Sequence, residues 1–398
     1  MINPSSACSI PSPGSSLTPI RGDRPTALII GGGVIGASSA YELGKAGFAC
    51  TLLDKGGWSQ EASTAAAGML GAQVEIHQPG PFYDLCRASL AIYRGWAEEL
   101  EDAGGIPVQY IPEGIVRAAM TADDEHELRS RLPWMQDASW LTAEELLRIE
   151  SELSPGILGG LHLPEDHQVH PVWLAKSLRA ALARQGCLVR EWTPATRLLT
   201  DCTGSVCGVA TPEGELRADL VVLAAGAWSS PLTEPLGLKL PIFPVKGQCI
   251  SVRTDAPLIR STVFTKGCYI VPKSDGSYII GATQEQAGFD KRAHVSTIAG
   301  LYEKAAALLP RIADAEFVST WTGLRPGTED ELPFLGTWEH APGLIFATGH
   351  YRNGILLAPV TGKVVASLAL GAAPELDLAP YAPGRAAGSR GQEIPLTL

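Results

Sequence analysis

Short runs of apolar residues that lead directly into glycine or small residues recur near both ends of the chain. Residues 27–30 form one such run, and residues 220–224 and 344–349 form two more. A short apolar run bounded by turn residues is typical of a strand buried on both faces. After the first run we expect a helix over 37–46 and a second strand over 49–53. The pattern therefore predicts a βαβ unit within a parallel sheet.

Two other patterns cover much of the remaining chain. Apolar residues recur at helical spacing in four stretches: 87–103, 172–185, 296–309 and 354–370. Thr142 and Glu145 match a capping box, which predicts a helix up to residue 153.

Antiparallel strands are predicted in six stretches, of which the first three form a small meander: 188–192, 197–200, 205–211, 246–253, 268–272 and 277–282. We therefore predict an α/β fold, α+β overall. It has a Rossmann-like domain built from discontinuous segments and a second domain with a mixed or antiparallel sheet.

Charge and composition narrow the classes of function. The 398 residues include 31 Lys and Arg against 42 Asp and Glu, which gives a formal net charge of −11. An acidic chain without a basic run is not expected to bind nucleic acid. The longest apolar stretch outside the first glycine motif, residues 220–228, is far shorter than the ~20 residues of a membrane span. We therefore expect neither nucleic acid nor membrane as a partner.

Cysteine spacing and the chain ends suggest the cellular setting. The eight cysteines are scattered and form no CxxC pair, so we expect no metal site, no disulfide framework and a cytoplasmic location. Residues 1–26 lack the basic start and apolar block of a secretory signal and are expected to form a disordered extension. Residues 372–398 have a similar composition and are expected to form a tail. Acidic enzymes of this size often assemble symmetrically, which favours a homo-oligomer.

The first glycine-rich turn has the spacing of a dinucleotide-binding fingerprint. Gly31, Gly33 and Gly36 follow a predicted strand and open a predicted helix. In this pattern the first glycine permits a tight turn and the second lets the backbone approach a pyrophosphate. The third allows close packing of helix and strand. The helix start at Val34 and Ile35 would present backbone N–H groups to the phosphates.

An acidic residue at the end of the second strand narrows the choice of dinucleotide. Asp54 follows Gly36 by 18 residues, where a carboxylate accepts hydrogen bonds from ribose hydroxyls. A carboxylate there disfavours a 2′-phosphate, so NAD or FAD is expected rather than NADP. The run of small residues over 62–70 would let a flat isoalloxazine ring lie against the backbone, although a loosely packed helix has the same composition. The glycine-bounded turn over 349–355 would present N–H groups to the pyrimidine end of such a ring, where negative charge develops on reduction.

Six segments together resemble the D-amino-acid-oxidase-like flavoproteins, and within them the bacterial glycine oxidase group associated with thiazole synthesis for thiamine. The segments are 28–36, 63–70, 244–248, 268–272, 323–328 and 349–359. They occur in the same order, and the resemblance covers residues 27–371. It implies non-covalent FAD, an FAD-binding domain and a substrate-binding domain. We assign 27–110, 168–240 and 325–371 to the FAD-binding domain, and 111–167 and 241–324 to the substrate-binding domain.

The resemblance also implies the residues that contact FAD. Asp54 and Lys55 would contact the adenosine, and the backbone of Ala195 would hold the adenine. The remaining implied contacts surround the flavin ring or lie at strand ends and helix starts beside it: Ala62, Ser63, Ala67, Gly68, Met69, Gly226, His350, Tyr351, Arg352, Asn353, Gly354, Ile355 and Leu356.

Three residues are predicted to act on the substrate. Arg325 suits a carboxylate because a guanidinium can donate two parallel hydrogen bonds, and Gly323 with Pro326-Gly327 predicts a turn around it. The resemblance implies that Tyr269 helps Arg325 to bind the substrate, and Arg352 would aid the carboxylate or act on the flavin. A structural ion pair for Arg325, a core position for Tyr269 and a purely structural role for Arg352 are the alternatives.

The substrate pocket is expected to include Met69, Gln284, Tyr269 and Arg325. Gln284 follows Gly-Ala-Thr where the family often carries Met, so the size or polarity of the substrate is expected to differ.

The resemblance implies oxidative deamination of glycine or another small amine or D-amino acid. A hydride would pass to flavin N5 and give an imino acid, then a keto acid and ammonia. Dioxygen would accept the electrons and form hydrogen peroxide, and the imine would supply thiazole synthesis. The alternatives are a dehydrogenase with another electron acceptor, a sarcosine-oxidase-like enzyme with covalently bound flavin, and a non-catalytic or tRNA-modifying partner that uses the fold as a scaffold.

Overall fold

The computed structural model describes residues 24–388. Within this range the chain forms nineteen strands and nine α-helices. The strands are β1 Thr26–Ile30, β2 Ala49–Leu53, β3 Met69–Leu70, β4 Ile115–Ala119, β5 Ser139–Thr142, β6 Gly159–Leu163, β7 His167–Gln168, β8 Leu188–Arg190, β9 Arg197–Thr200, β10 Val206–Thr211, β11 Gly214–Arg217, β12 Leu220–Leu223, β13 Ile242–Arg253, β14 Thr262–Thr265, β15 Cys268–Pro272, β16 Ser277–Gly281, β17 Glu316–Thr328, β18 Phe334–Thr337 and β19 Leu344–Thr348. The helices are α1 Val34–Lys45, α2 Ala62–Ala65, α3 Pro81–Gly104, α4 Ala122–Arg131, α5 Ala143–Ile149, α6 Pro171–Arg184, α7 Ser230–Thr233, α8 Val295–Leu308 and α9 Gly354–Ala369.

The first large sheet has six strands in the order β18-β19-β12-β1-β2-β8. All neighbours are parallel except β18, which runs antiparallel to β19. Alternate residues of β1 face opposite sides, so Ile29 packs in the core with α1 and α9 while Leu28 packs against the meander β9–β11. Because this sheet is covered on both faces, its four inner strands β19, β12, β1 and β2 are the short apolar runs that the sequence predicts. The predicted βαβ unit is confirmed.

The predicted meander differs in one strand. Residues 188–190 form β8, which pairs in parallel with β2 at the edge of the six-stranded sheet. The antiparallel meander instead consists of β9, β10 and β11. Three residues at a sheet edge, with Leu188 exposed, carry no alternation that would distinguish the two sheets.

The second large sheet has eight strands in the order β17-β13-β16-β15-β14-β4-β6-β5. Its neighbours are antiparallel except β14 and β4, which are parallel. Helix α8 packs on one face, where Leu301 and Leu308 join Ile250, Ile270 and Ile280 in one core. The predicted α/β fold with a mixed second sheet is confirmed. The domain boundaries assigned from the sequence stay a prediction.

The structure differs from the prediction at the end of one helix and in the C-terminal tail. Thr142 and Glu145 form the reciprocal capping box, but α5 ends at Ile149 rather than at residue 153. Beyond residue 371, Tyr381 is buried in the core beside the six-stranded sheet, so this part of the predicted tail packs on the fold. Residues 1–23 and 389–398 of the predicted extension and tail lie outside the described residues. No helix within residues 24–388 is long and apolar enough to cross a membrane.

Candidate active site

A cavity of about 410 Å³ lies where the two large sheets meet. Its wall on one side is formed by the carboxyl ends of β1, β2, β12 and β19, and on the other side by β13, β15 and β17. Ligands of open parallel sheets bind beyond the carboxyl ends of the strands, so the site follows from the topology. The cavity brings together residues from one end of the chain to the other.

The glycine-rich turn fits the role that its spacing predicts. Gly31 has φ +109°, and a Cβ on it would lie 2.7 Å from the carbonyl carbon of Ala224. A Cβ on Gly36 would lie 3.1 Å from the carbonyl carbon of Gly31, so a larger residue would push α1 away from the turn. Gly36 does not line the cavity, whereas Gly33 at the start of α1 does. Only a chain without side chains at residues 31 and 36 forms this close approach.

The small-residue segment and α1 are joined at the cavity. The backbone N–H of Val34 donates to Ser63 Oγ at 2.9 Å, and both residues line the cavity with Ile35. Ser63 therefore caps α1 from another segment, because Gly33 at the N-cap has no side chain. The segment that the sequence assigns to the flavin thus meets the helix start that it assigns to the phosphates.

Asp54 is held in a fixed orientation beside the glycine-rich turn. Its Oδ2 accepts from the N–H of Gly32 at 2.6 Å, and its Oδ1 accepts from the N–H of Gly56 at 2.8 Å. Burial raises the pKa of this carboxyl, because desolvation outweighs the two hydrogen bonds that lower it. Next to it the Lys55 ammonium lies 3.2 Å from the ring centroid of Trp228. Ala195 and Gly226 also line the cavity.

A slot lined by small residues forms another part of the cavity. Ala62, Ala67, Gly68 and Met69 line it on one side. On the opposite side Gly323 of β17 comes so close to α2 that a Cβ would lie 2.6 Å from the Cβ of Ala65. The absence of a side chain at residue 323 therefore lets β17 pack directly against α2.

Arg325 lies on a strand rather than in the predicted turn. Residue 325 is in β17 and pairs with Val245 of β13, because the long β13–β17 ladder overrides the local turn signal of Pro326-Gly327. Its Nη1 donates to the carbonyl of Thr283 at 3.1 Å, and the guanidinium lines the cavity. Its ion-pair alternative finds no support, since no carboxylate pairs with Arg325 within residues 24–388. The guanidinium therefore keeps donors for a ligand anion.

Tyr269 of β15 faces the same cavity. Its hydroxyl lies 3.8 Å from Cys249 Sγ, a residue of β13 that also lines the cavity. Burial raises the pKa of this phenol well above its usual value, so the hydroxyl stays protonated and can donate. Tyr269 also packs in a small core with Ala67, so it is both a core residue and part of the cavity wall.

Arg352 and Glu75 form an ion pair that the sequence does not reveal. Arg352 Nη1 lies 3.4 Å from Glu75 Oε1, and both residues line the cavity. They are 277 residues apart, and Glu75 stands in a loop with no motif of its own. Local spacing carries no signal for such a contact.

The turn before α9 is only partly at the cavity. His350, Tyr351, Gly354 and Ile355 line it, whereas Asn353 and Leu356 do not. Leu356 is buried in the core beside α1 instead. His350 is fully enclosed, its Nε2 lies 3.0 Å from Thr361 Oγ1, and burial lowers its pKa to about 3, so the imidazole is neutral.

Gln284 does not reach the cavity. Its side chain is exposed, while its neighbours Thr283 and Glu285 turn inward and bond to each other at 2.7 Å. The expectation that Gln284 lines the substrate pocket is therefore not met, because the chain alternates direction at this point. Among the described residues no group of three His, Cys, Asp or Glu side chains could hold a metal ion, and seven cysteines are free.

The residues of this cavity fit FAD. The glycines that admit no Cβ, the oriented carboxylate of Asp54 and the slot of small residues suit in turn a pyrophosphate, a ribose and a flat ring. A second sheet closes the far end and brings Arg325 to it. This fold and site define the class of FAD-dependent oxidoreductases.

Known proteins resemble this chain over most of its length. Residues 26–368 match the family described as DAO, FAD dependent oxidoreductase. A glycine oxidase of Geobacillus kaustophilus is 41% identical over 371 residues, which cover 92% of this chain and 98% of that protein. The crystal structure of glycine oxidase from that organism superimposes with a TM-score of 0.87 at 39% identity, covering 91% and 99% of the two chains. A bifunctional protein ThiO/ThiG of Nostoc is 38% identical over 86% of this chain and 52% of its own length. The chain therefore belongs to the DAO family of FAD-dependent oxidoreductases, and it is an enzyme that uses FAD.

Proposed function

We propose that this enzyme catalyses the oxidative deamination of glycine or another small amino acid or amine. One observation carries the proposal: a cavity with a dinucleotide turn at Gly31 and Asp54 also contains the guanidinium of Arg325. An arginine with free donors beside a flat slot suits a small molecule with a carboxylate. The names of the glycine oxidases that resemble this chain support the same substrate class.

The residues of the chain would act mainly by positioning. Arg325 binds the substrate carboxylate, and the protonated Tyr269 hydroxyl donates toward the same end of the cavity. FAD supplies the two-electron acceptor, at N5 of its ring, for the hydride of the substrate Cα. Alignment of reacting groups can lower a barrier by ~7–11 kcal/mol, so the reaction needs no strong base. The small apolar residues of the slot exclude water from the reacting atoms.

The overall reaction for glycine is glycine + O2 + H2O → glyoxylate + NH3 + H2O2. The Cα–N bond is oxidised to an imine, water adds and releases ammonia, and dioxygen is reduced to hydrogen peroxide. We propose dioxygen as the acceptor, and another acceptor is an outcome of the test below. The name of the Nostoc relative supports a further proposal, that the imine supplies thiazole synthesis for thiamine.

The same proposal covers the attachment of FAD, the assembly of the chains and the cellular location. FAD is held without a covalent bond, and the chains assemble as a homo-oligomer. The seven free cysteines of residues 24–388 fit a reducing compartment, which supports a cytoplasmic location.

The test is an anaerobic spectrum of the purified holoenzyme during titration with glycine, sarcosine, D-alanine and D-proline. Bleaching of the flavin band by one of them is expected, followed by rapid return of colour and peroxide when air is admitted. Bleaching with slow recolouring in air would replace dioxygen by another acceptor. A flavoprotein that none of the four substrates bleaches would overturn the proposed substrate class.

A further inference from the structure

Lys273 is a buried lysine whose ammonium lies directly behind the wall of the FAD site. It stands immediately after β15, and its Nζ donates to the carbonyl of Ala67 at 2.6 Å. The same Nζ donates to Gln168 Oε1 at 2.8 Å and to the carbonyl of Val169 at 3.1 Å. One side chain thus joins β15, the segment around Ala67 and the segment around Gln168.

The surroundings of the Lys273 ammonium differ from those of a second buried lysine. No ion pair involves Lys273 within the described part of the chain, whereas the other fully buried lysine, Lys246, lies 3.3 Å from Glu285 Oε2. A buried ammonium surrounded by neutral acceptors is costly, and an apolar side chain of the same length would be cheaper for packing alone. The arrangement therefore points to a task beyond filling the core.

The place of Lys273 connects the two halves of the site. Tyr269, Val271 and Lys273 occupy every second position and therefore point to one face of the strand. The first two pack against Ala67 and Ile279 in one core. The backbone N–H of Lys273 donates to the carbonyl of Ser277 at 2.8 Å, so the strand end is fixed in a hairpin. The strand that presents Tyr269 to the cavity also anchors the lysine.

The wall that Lys273 holds also contacts residues 168–171 directly, and Met69 pairs with Gln168. Gly68 has φ +88°, and a Cβ on it would lie 2.9 Å from Pro171 Cδ, so the wall fits closely against residues 169–171. The Gly68 carbonyl accepts from the N–H of Val169 at 2.9 Å. Residues 66–68 belong to neither a helix nor a strand.

We propose that Lys273 is a positioning residue that ties the Ala67–Gly68 wall of the FAD site to β15 and to residues 168–169. It thereby holds the flavin wall and Tyr269 at a fixed separation. This inference rests on the proposed placement of the flavin ring against residues 67–69.

The protonation state of Lys273 sets how many of these bonds can form. An ammonium has three donors for the three acceptors, whereas a neutral amine has two. Burial lowers the pKa of Lys273 to about 7, and the nearby Asp275 raises it in part. His170, which also faces this group, is neutral above pH 5 because burial lowers its pKa to about 4. The wall is therefore fully held below neutral pH and loses one bond above it.

This state of the wall is linked to FAD binding. A wall that is already ordered lowers the cost of ordering it when FAD binds. By reciprocity, FAD binding then favours the protonated lysine, and FAD affinity falls as pH rises through the pKa of Lys273.

The experiment compares full-length wild type with Lys273→Met, Gln168→Met and the matched control Lys304→Met, which changes an exposed lysine. The dissociation constant of FAD is measured with the apoproteins at pH 6.0 and pH 8.5. Amide hydrogen exchange of residues 66–70 is followed in the apoprotein and with FAD. For Lys273→Met we expect roughly tenfold weaker FAD binding at pH 6.0, a smaller difference at pH 8.5 and faster exchange of residues 66–70. Lys304→Met should match wild type throughout.

A wrong flavin placement and a wrong role for Lys273 would give different results. If FAD does not slow exchange of residues 66–70 in wild type, the proposed flavin placement is wrong and the inference falls with it. If FAD protects them but Lys273→Met retains wild-type affinity, pH dependence and exchange, the inference alone is overturned. If Lys273→Met does not fold, Gln168→Met is used instead. That variant keeps the Lys273 ammonium and removes one of its three acceptors. Faster exchange of residues 66–70 in that variant supports the inference, and unchanged exchange overturns it.

Discussion

Gly247 of β13 lies directly against the guanidinium of Arg325, so that a Cβ on residue 247 would lie 2.7 Å from Arg325 Cζ. Arg325 pairs with Val245 across the ladder, and Gly247 is two residues further on the same face. Because residue 247 has no side chain, the arginine can lie across β13 while its Nη1 reaches the carbonyl of Thr283. A glycine thus sets where the proposed carboxylate-binding group sits.

Gly247→Ala should therefore weaken substrate binding more than it slows the chemical step. The added methyl group displaces the guanidinium, and we expect KM for the best substrate to rise about tenfold with a smaller change in kcat. Steady-state kinetics with unchanged flavin absorption would show this. Gly300→Ala is the matched control, because a Cβ on Gly300 meets nothing within 4 Å. Equal KM values for the two variants would contradict the proposed role of Arg325.

Arg325 itself should be indispensable for binding the carboxylate. Removing one partner of a buried charge pair costs ~2–5 kcal/mol, so Arg325→Met should lower kcat/KM by about 30- to 5,000-fold. Arg325→Lys keeps the charge without the two parallel donors and should recover only part of the loss. FAD content and the free energy of unfolding should stay near wild type, since no carboxylate of residues 24–388 pairs with Arg325. A variant that loses FAD or stability as much as activity would point to a structural role instead.

Features of the site that depend on neighbouring residues were accessible from sequence. The turn at Gly31, the acid at Asp54 and the run over 62–70 owe their roles to spacing within one βαβ unit. Buried strands of the six-stranded sheet were equally clear, because both of their faces are covered.

Features that depend on distant segments were not. The turn signal around Arg325 was overridden by pairing of β17 with β13, and the pairing of Arg352 with Glu75 spans 277 residues. Gln284 was misplaced because a one-residue alternation decides which side chain faces the cavity. Lys273 gave no signal, since a lysine next to Ser274 and Asp275 has the composition of an exposed turn. Helix α4 is charged over most of its length and has no apolar period, so it escaped the pattern as well.

Asp54 should contribute to FAD affinity and little to the rest of the fold. Asp54→Ala removes the proposed ribose acceptor and the bonds to Gly32 and Gly56, so we expect FAD to bind roughly tenfold more weakly. Fluorescence titration of the apoprotein measures the constant. Asp255→Ala changes an exposed aspartate and provides the comparison. Undiminished affinity in Asp54→Ala would place the ribose elsewhere.

Asp166 should make the stability of the protein depend on pH between about 4 and 7. Its carboxyl is fully buried, its Oδ2 accepts from the N–H groups of Gln73 and Val74 at 3.0 and 2.9 Å, and burial raises its pKa to about 7. Because the folded state then binds the proton more tightly than the unfolded state, the contribution of Asp166 to stability falls as pH rises through this range. At about 1.4 kcal/mol per pKa unit the loss is at most about 4 kcal/mol.

Asp166→Asn removes this titration and keeps an oxygen that can accept from the same two amides. Relative to wild type, the variant should therefore gain stability from pH 4 to about pH 7 and show a constant difference above that, measured in the free energy of unfolding by urea titration. The exposed Asp84→Asn is the control for the loss of one carboxylate. Parallel curves for Asp166→Asn and wild type would mean that Asp166 is ionised at both ends of this range. Its two bonds to the loop that carries Glu75 would then outweigh its burial.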